Sequence, residues 1–256
     1  MKGLIIAAGR GSRLGQATDN TPKPLVKVKS KSFLENTISL LNQFGVSEIG
    51  VVTGYLSEKF DDVKGIKTFK NSNWKNNNIL HSLFYAEDFI NEDIVIVYGD
   101  TWYEKSALSN ILKSKDTLSI AVDLNWREYY VGRSDHPEAE AENVIYDDNF
   151  NLQKIGKYID SKSSSTIAEF MGIVKIDRKG VKSFVNEFKE LKKKLALDDP
   201  FENSKSFSNA YLTDYLQYLV KKNYEIKCIE NLGGWYEVDT QQDLHNLREM
   251  EFLRQI

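Results

Sequence analysis

The apolar positions of this chain alternate between short continuous runs and stretches with helical spacing. Leu4 to Ala8 is an unbroken apolar run closed by Gly9, which predicts a strand covered on both faces, as in a parallel sheet. Phe33, Leu34, Ile38, Leu40, Leu41 and Phe44 then recur with helical spacing and stop at Gly45. Glu48 to Gly54 supplies a second strand, so the chain opens with a β-α-β unit. Lys67-Thr68-Phe69 predicts a third strand, Ile79–Phe89 a helix, and Ile94–Tyr98 another buried strand, with an acid, Asp100, just past its end. This alternation predicts an α/β fold, a mostly parallel, Rossmann-like sheet with helices on both faces.

Further along, Leu118–Leu124 and Phe170–Ile176 read as strands, residues 178–195 as an amphipathic helix, and Leu212–Val220 as another. Glu225–Ile229 predicts a strand and Gln242–Leu253 a last helix. Residues 126–168 are polar and irregular, too long for a plain connection, and predict an insertion that forms a lid or carries a binding surface. There is no repeat, and Ser161–Ser165 is too short to separate two domains. A single domain over residues 1–256 is expected: a core over 1–125, the insertion over 126–168, and the remaining sheet and helices over 169–256.

Composition narrows the function. Hydrophobic residues at 41% and charged residues at 28% are those of a folded globular chain. A net charge of -3 argues against a general nucleic-acid binder, which needs a surplus of Lys and Arg. The single Cys228 has no partner for a disulfide or a zinc site, so a cytoplasmic setting is expected. The apolar run at the start is too short for a signal peptide or a membrane span, and no membrane association is expected.

The chemistry concentrates after the first strand. Gly9-Arg10-Gly11-Ser12-Arg13-Leu14-Gly15 is followed by Thr21-Pro22-Lys23-Pro24. Glycines let backbone N–H groups approach phosphate oxygens, and Arg10, Arg13 and Lys23 supply the charge that a triphosphate demands. Rival glycine loops fail on the letters: Leu14 stands where a dinucleotide fingerprint needs glycine, and no Gly-Lys-Ser/Thr or His-Arg-Asp occurs.

The strand, the segment Ala7-Ala8-Gly9-Arg10-Gly11-Ser12-Arg13-Leu14 and the Pro22-Lys23-Pro24 triplet resemble the signature of the nucleotidyltransferase family that includes sugar-1-phosphate nucleotidylyltransferases and the CTP:phosphocholine and aminoethylphosphonate cytidylyltransferases. The resemblance implies a GT-A type sheet and Mg²⁺-dependent transfer of a nucleotidyl group. It places Ala7, Ala8, Gly9, Arg10, Gly11, Ser12, Arg13 and Lys23 on the nucleotide, with Arg13, Lys23, Asp100 and Asp239 as the catalytic set. Asp100 and Asp239 would hold the metal. Taken alone, Asp100 reads equally as a turn residue and Asp239 as a helix cap.

Asn77, Asn78 and Ser82 fall where the phosphocholine enzymes read the base, and their amides and hydroxyl suit cytosine, so CTP is the expected donor. The sugar enzymes' Glu-Lys-Pro motif is absent. Aromatic and charged residues of the insertion, Trp126, Tyr130, Arg133 and Lys157, together with Glu169, form a candidate acceptor set suited to a small phosphorylated or phosphonate-bearing amine, and the resemblance adds Asp214, Tyr215 and Glu237, which fall where the phosphocholine enzymes bind their amine. Glu138, Glu140 and Glu142 read either as carboxylates that suit a cationic amine beside these aromatic residues or as a solvated strand edge or loop, and His81 reads as a helix-surface residue. Two alternatives stay open: a sugar-1-phosphate nucleotidylyltransferase using UTP, GTP or dTTP, and a nucleotide-binding module without catalysis. A homodimer also stays open.

Overall fold

Lys2–Ala7 forms β1, whose residues are all buried. Side chains of a strand alternate between faces, and here both faces are apolar. Leu4 and Ile6 enter one core while Ile5 and Ala7 enter the other. This computed structural model describes residues 1–159 and 167–250; the Ser161–Ser165 tract and the last positions of the expected C-terminal helix, 251–253, lie outside the described residues.

The other strands are β2 (Glu48–Thr53), β3 (Ile66–Lys70), β4 (Ile94–Tyr98), β5 (Thr101–Tyr103), β6 (Leu118–Asp123), β7 (Asn143–Tyr146), β8 (Leu152–Gly156), β9 (Ala168–Ile176), β10 (Lys227–Asn231) and β11 (Trp235–Glu237). The helices are α1 (Phe33–Gln43), α2 (Ile79–Leu83), α3 (Lys105–Lys113), α4 (Arg178–Lys194), α5 (Leu212–Lys221) and α6 (Gln241–Glu249). The main sheet runs in the order β10-β6-β9-β4-β1-β2-β3. β4, β1, β2 and β3 pair in parallel, as do β10 and β6, while β9 runs antiparallel between β4 and β6. The sheet is thus mostly parallel with one reversed strand. Helices α2, α4 and α5 cover one face, and α1 and α3 the other.

Several elements differ from the sequence expectation. The helix expected over Ile79–Phe89 is α-helical only to Leu83; a tighter 3₁₀ stretch, Phe84–Phe89, follows, with non-helical backbone at Ala86. The strand expected at Glu225–Ile229 lies two residues later, and α3 fills a stretch for which no helix was expected. Part of the insertion is regular: β7 and β8 form a hairpin that extends the sheet through β9. The short pair β5 and β11 is antiparallel, and it rests on a third small core of Leu14, Phe33, Trp102, Tyr236, Val238, Leu244 and neighbours. That pair sets the position of Asp100 and Asp239, because β5 follows Asp100 directly and β11 precedes Asp239. Among the described residues no helix is long and apolar enough to cross a membrane.

Candidate active site

The chain leaves β1 at its carboxyl end, the edge where parallel sheets place their ligands. The backbone is drawn in tightly there. Gly11 has φ 69°, and a Cβ on it would stand 2.6 Å from Cδ of Lys23. Thr18 Oγ1 donates to the Gly11 carbonyl at 3.0 Å and pins the far side of the loop. The chain then enters a 3₁₀ turn, Lys23–Leu25, with Pro22 before it and Pro24 within it to fix the backbone.

Lys23 is the centre of the site. Its side chain is buried, and its ammonium donates to Asp100 Oδ2 at 2.9 Å and to Asp239 Oδ1 at 2.6 Å. Burial alone would lower its pKa, but the two carboxylates overturn that and raise it, so the lysine stays charged. For Asp239, burial works against ionisation, yet Lys23 and then Arg13 bring its carboxyl down to about 2. Arg13 donates to Asp239 and reaches Glu140 in the insertion at 3.1 Å. Two acids far apart in sequence thus converge on one cation, a cluster of hard oxygen donors that fits a divalent ion. Ligand atoms of His136, Glu237 and Asp239 also lie within 4.8 Å of one another.

A buried network supports Asp239 from behind. Asp243, in the first turn of α6, accepts from the backbone N–H of Asp239 at 3.0 Å and of Thr240 at 2.9 Å. Arg133 donates from Nε to Asp243 at 2.8 Å and from Nη2 to His136 Nδ1 at 2.7 Å. Arginine cannot accept, so Nδ1 is the accepting nitrogen of that ring. His136 Nε2 then lies 3.8 Å from Glu237.

Three adjoining lobes make up the cleft, and all three include Asp100. The first is lined by Ala7, Gly9, Gly11, Ser12, Arg13, Lys23, Asp100 and Asp239. The second holds Ala8, Gly9, Trp74, Asn77, Asn78, Ser82 and Asp100. The third is formed by Arg13, Asn78, Tyr98, Asp100, Glu140, Glu142, Lys157, Tyr211, Glu237 and Asp239. Burial, together with Asp239 and Asp100, pushes the Glu237 carboxyl well above its usual range. Burial likewise raises Glu142 to about 7, although a hydrogen bond from Thr213 opposes the shift.

Other expected site residues are placed elsewhere or are already engaged. Arg10 leans over the Tyr55 ring and pairs with Asp19 at 3.0 Å. Asn78 caps α2 through its carbonyl oxygen while its amine donates to the Asn209 carbonyl. Trp126 is buried, its indole N–H donating to the Ile167 carbonyl, and Tyr130 donates to Glu169 at 2.6 Å beneath the insertion. Arg133 is spent on Asp243 and His136, so it supports the site from below. Asp214 caps α5, accepting from Tyr211 N and Ser204 Oγ. The structure does not bring Tyr215 to the cleft: it is fully enclosed in the core, its hydroxyl donating to the Phe184 carbonyl. His81 is partly buried rather than a plain surface residue, and its Nε2 is bonded to the Phe207 carbonyl at 2.8 Å.

Sequence reasoning left Glu140 and Glu142 between an acceptor-side role and a solvated edge, and they line the third lobe; it passed over Asp243, Tyr98, Tyr211, Trp74 and Asn71. Thr240-Gln241-Gln242-Asp243 carries a capping-box pattern that could have singled out Asp243, and the box is present. The others have no local signal.

The fold and this cleft define a nucleotidyltransferase, and the chain belongs to the MobA-like NTP transferase domain family, which matches residues 3–131. It is similar to the CTP:phosphoglutamine cytidylyltransferase of Campylobacter jejuni, 29% identical over 95% of this chain and 98% of that protein. The choline-phosphate cytidylyltransferase of Streptococcus pneumoniae is 27% identical over 98% of each chain. Among solved structures, the CTP:phosphocholine cytidylyltransferase from Streptococcus pneumoniae shares the fold, with a TM-score of 0.75 over 97% of each chain at 23% identity.

Proposed function

We propose that this protein transfers a CMP group from CTP to a small acceptor bearing a phosphate or phosphonate, with release of pyrophosphate. The observation that carries this reading is the convergence of Lys23 on Asp100 and Asp239 beside the glycine loop. The loop from Gly9 to Arg13 takes the triphosphate, the lobe with Asn77, Asn78 and Ser82 takes the base, and the lobe with Glu142, Lys157 and Tyr211 takes the acceptor. An acceptor phosphate oxygen is already anionic near neutral pH, so its attack on the α-phosphorus needs no protein base. The chain's task is positioning and charge neutralisation.

Lys23 remains an ammonium throughout and draws the α-phosphate into line, while Arg13 exchanges its carboxylate partners for phosphate oxygens. Asp100 and Asp239 hold Mg²⁺, which supplies charge neutralisation for the phosphates and the leaving group when bound. Glu140, Glu142 and Glu237 favour an acceptor whose far end is cationic. Residues 126–159 act as the acceptor-side cover of a single domain, tied to the loop by Arg13 and Glu140. An acceptor screen with CTP and Mg²⁺, read as pyrophosphate release, tests the proposal. It should include phosphocholine, aminoethylphosphonate, phosphoethanolamine, a phosphorylated amino-acid amide and sugar 1-phosphates. Turnover with a cationic or amino-bearing phospho-acceptor is expected. Turnover confined to sugar phosphates with another triphosphate would overturn it.

A further inference from the structure

Asn71 lies one residue beyond β3, with no exposed surface, beneath the lobe assigned to the base. Its orientation is fixed by the backbone. The N–H of Asn73 donates to Asn71 Oδ1 at 2.9 Å, so the Asn71 amine must face the other way. That amine donates to Asn77 Oδ1 at 2.8 Å and to Ser82 Oγ at 2.9 Å. An amide nitrogen cannot accept, so Ser82 is the acceptor in this pair and its own proton stays unspent. Among the described residues that proton has no acceptor, and Ser82 lines the base lobe. Asn77 is set in the same sense. Its oxygen is occupied by Asn71, and its amine reaches only Asn71 Oδ1, at 3.3 Å. The lobe therefore offers two hydrogen-bond donors side by side.

We infer that Asn71 sets the base selectivity of this enzyme without touching the nucleotide, by holding Ser82 and Asn77 as donors. Cytosine carries two neighbouring acceptors, O2 and N3, which two adjacent donors satisfy. Uracil and thymine carry a hydrogen on N3, and a donor facing a donor leaves both unpaired in a buried place. Such mismatches cost roughly ten- to a hundredfold in kcat/KM. The inference rests on the CTP reading above and adds its structural origin.

Asn71→Asp tests it with almost no change in shape. The carboxylate still accepts from the Asn73 N–H, but its second oxygen accepts where the amine donated. Ser82 then donates inward to residue 71 and turns a lone pair to the lobe, and the Asn77 amide reverses to present its oxygen. The base lobe becomes acceptor-lined and suits the N3 hydrogen of uracil. The ratio of kcat/KM for CTP over UTP should fall about tenfold or more, with UTP turnover rising in absolute terms. An unchanged ratio in a folded variant, or an equal fall for both nucleotides, overturns the role of Asn71. Should that variant not fold, Ser82→Ala decides: kcat/KM for CTP should drop about tenfold while that for UTP holds, and equal effects on both overturn the inference. The wild-type preference is measured first. A wild type without CTP turnover overturns the functional reading and this inference with it, whereas a CTP-selective wild type whose ratio survives both substitutions overturns Asn71 alone.

Discussion

Arg133 and Asp243 form an ion pair of 2.8 Å between the insertion and α6, with side-chain exposures of 2% and 0%. Burial alone would favour a neutral Asp243, but Arg133, with the N–H of Asp239, holds its carboxyl well below the usual range. The same carboxylate fixes the backbone N–H of Asp239. The pair therefore ties the insertion to the loop that carries Asp239, which links packing to the position of a proposed metal-binding acid.

Removing one member of a buried pair strands the other charge. Arg133→Met should lower stability by about 3–5 kcal/mol, the usual cost of an uncompensated buried charge. Denaturant unfolding followed by circular dichroism would measure it. A change within ±0.5 kcal/mol, the range of ordinary surface substitutions, would show that the pair is no support. Where the variant still folds, CTP turnover should also fall, because the Asp243 carboxylate that restrains the Asp239 backbone loses the partner that holds it in place.

Asp100→Asn and Asp239→Asn each remove a charge from the cluster around Lys23 while keeping the shape. Pyrophosphate release should fall by about a hundredfold or more, as expected when a group that stabilises transition-state charge is lost. Circular dichroism and thermal midpoint should stay close to wild type for Asp100→Asn, whose side chain is the more exposed of the two. Stripping divalent ions with a chelator should stop turnover, and Mg²⁺ should restore it. Full activity of Asp100→Asn would remove the metal assignment.

Much of this was legible in the letters, and the reason is physical. The buried strands β1, β2 and β4 are continuous apolar runs because helices cover both faces, and a one-dimensional pattern records that directly. The loop was legible because Gly11, Arg13 and Lys23 act from adjacent segments. Asp100 follows β4 closely enough to be placed by the same logic. What escaped depends on contacts between distant segments. Glu140 and Glu142 look like a solvated edge until the hairpin of β7 and β8 docks on β9 and turns them to the cleft. Asn71 carries no pattern at all, since its role exists only once Asn77 and Ser82 are folded over it. Tyr215 shows the converse: the resemblance put it at the acceptor, whereas its place in a helical stripe with Leu212, Leu216 and Leu219, left unweighed against that resemblance, encloses it in the core.

Glu169 gives a pH signature. Burial raises its carboxyl to about 8, even though the Tyr130 hydroxyl and then Arg133 oppose the shift. A folded state that keeps a proton the unfolded chain has already lost becomes less stable as pH rises. Its contribution is fully present below the unfolded pKa near 4.5 and is lost as pH climbs through about 8. Wild type should therefore lose stability across that window relative to Glu169→Gln, which has no proton to give up. Parallel urea titrations at the two ends of the window would test this, and parallel pH profiles for the two proteins would rule it out.

Gly11 and Gly45 separate backbone strain from active-site crowding. Both have left-handed backbone, with φ 69° and 73°, so the backbone strain of alanine should cost a similar ~1–2 kcal/mol of stability at either position. Their surroundings differ. A Cβ at Gly45 meets nothing within 4 Å, whereas one at Gly11 presses on Lys23 at 2.6 Å from Cδ and 2.9 Å from Cβ. Lys23 is buried and held by two carboxylates, so it can yield only by moving its ammonium off Asp100 and Asp239. Gly11→Ala should therefore lose more stability than Gly45→Ala and reduce kcat/KM for CTP by about tenfold or more, while Gly45→Ala bears the backbone strain alone and keeps wild-type turnover. Equal activities in the two variants would mean that the seat of Lys23 tolerates displacement, and the role given to its ammonium would have to be abandoned.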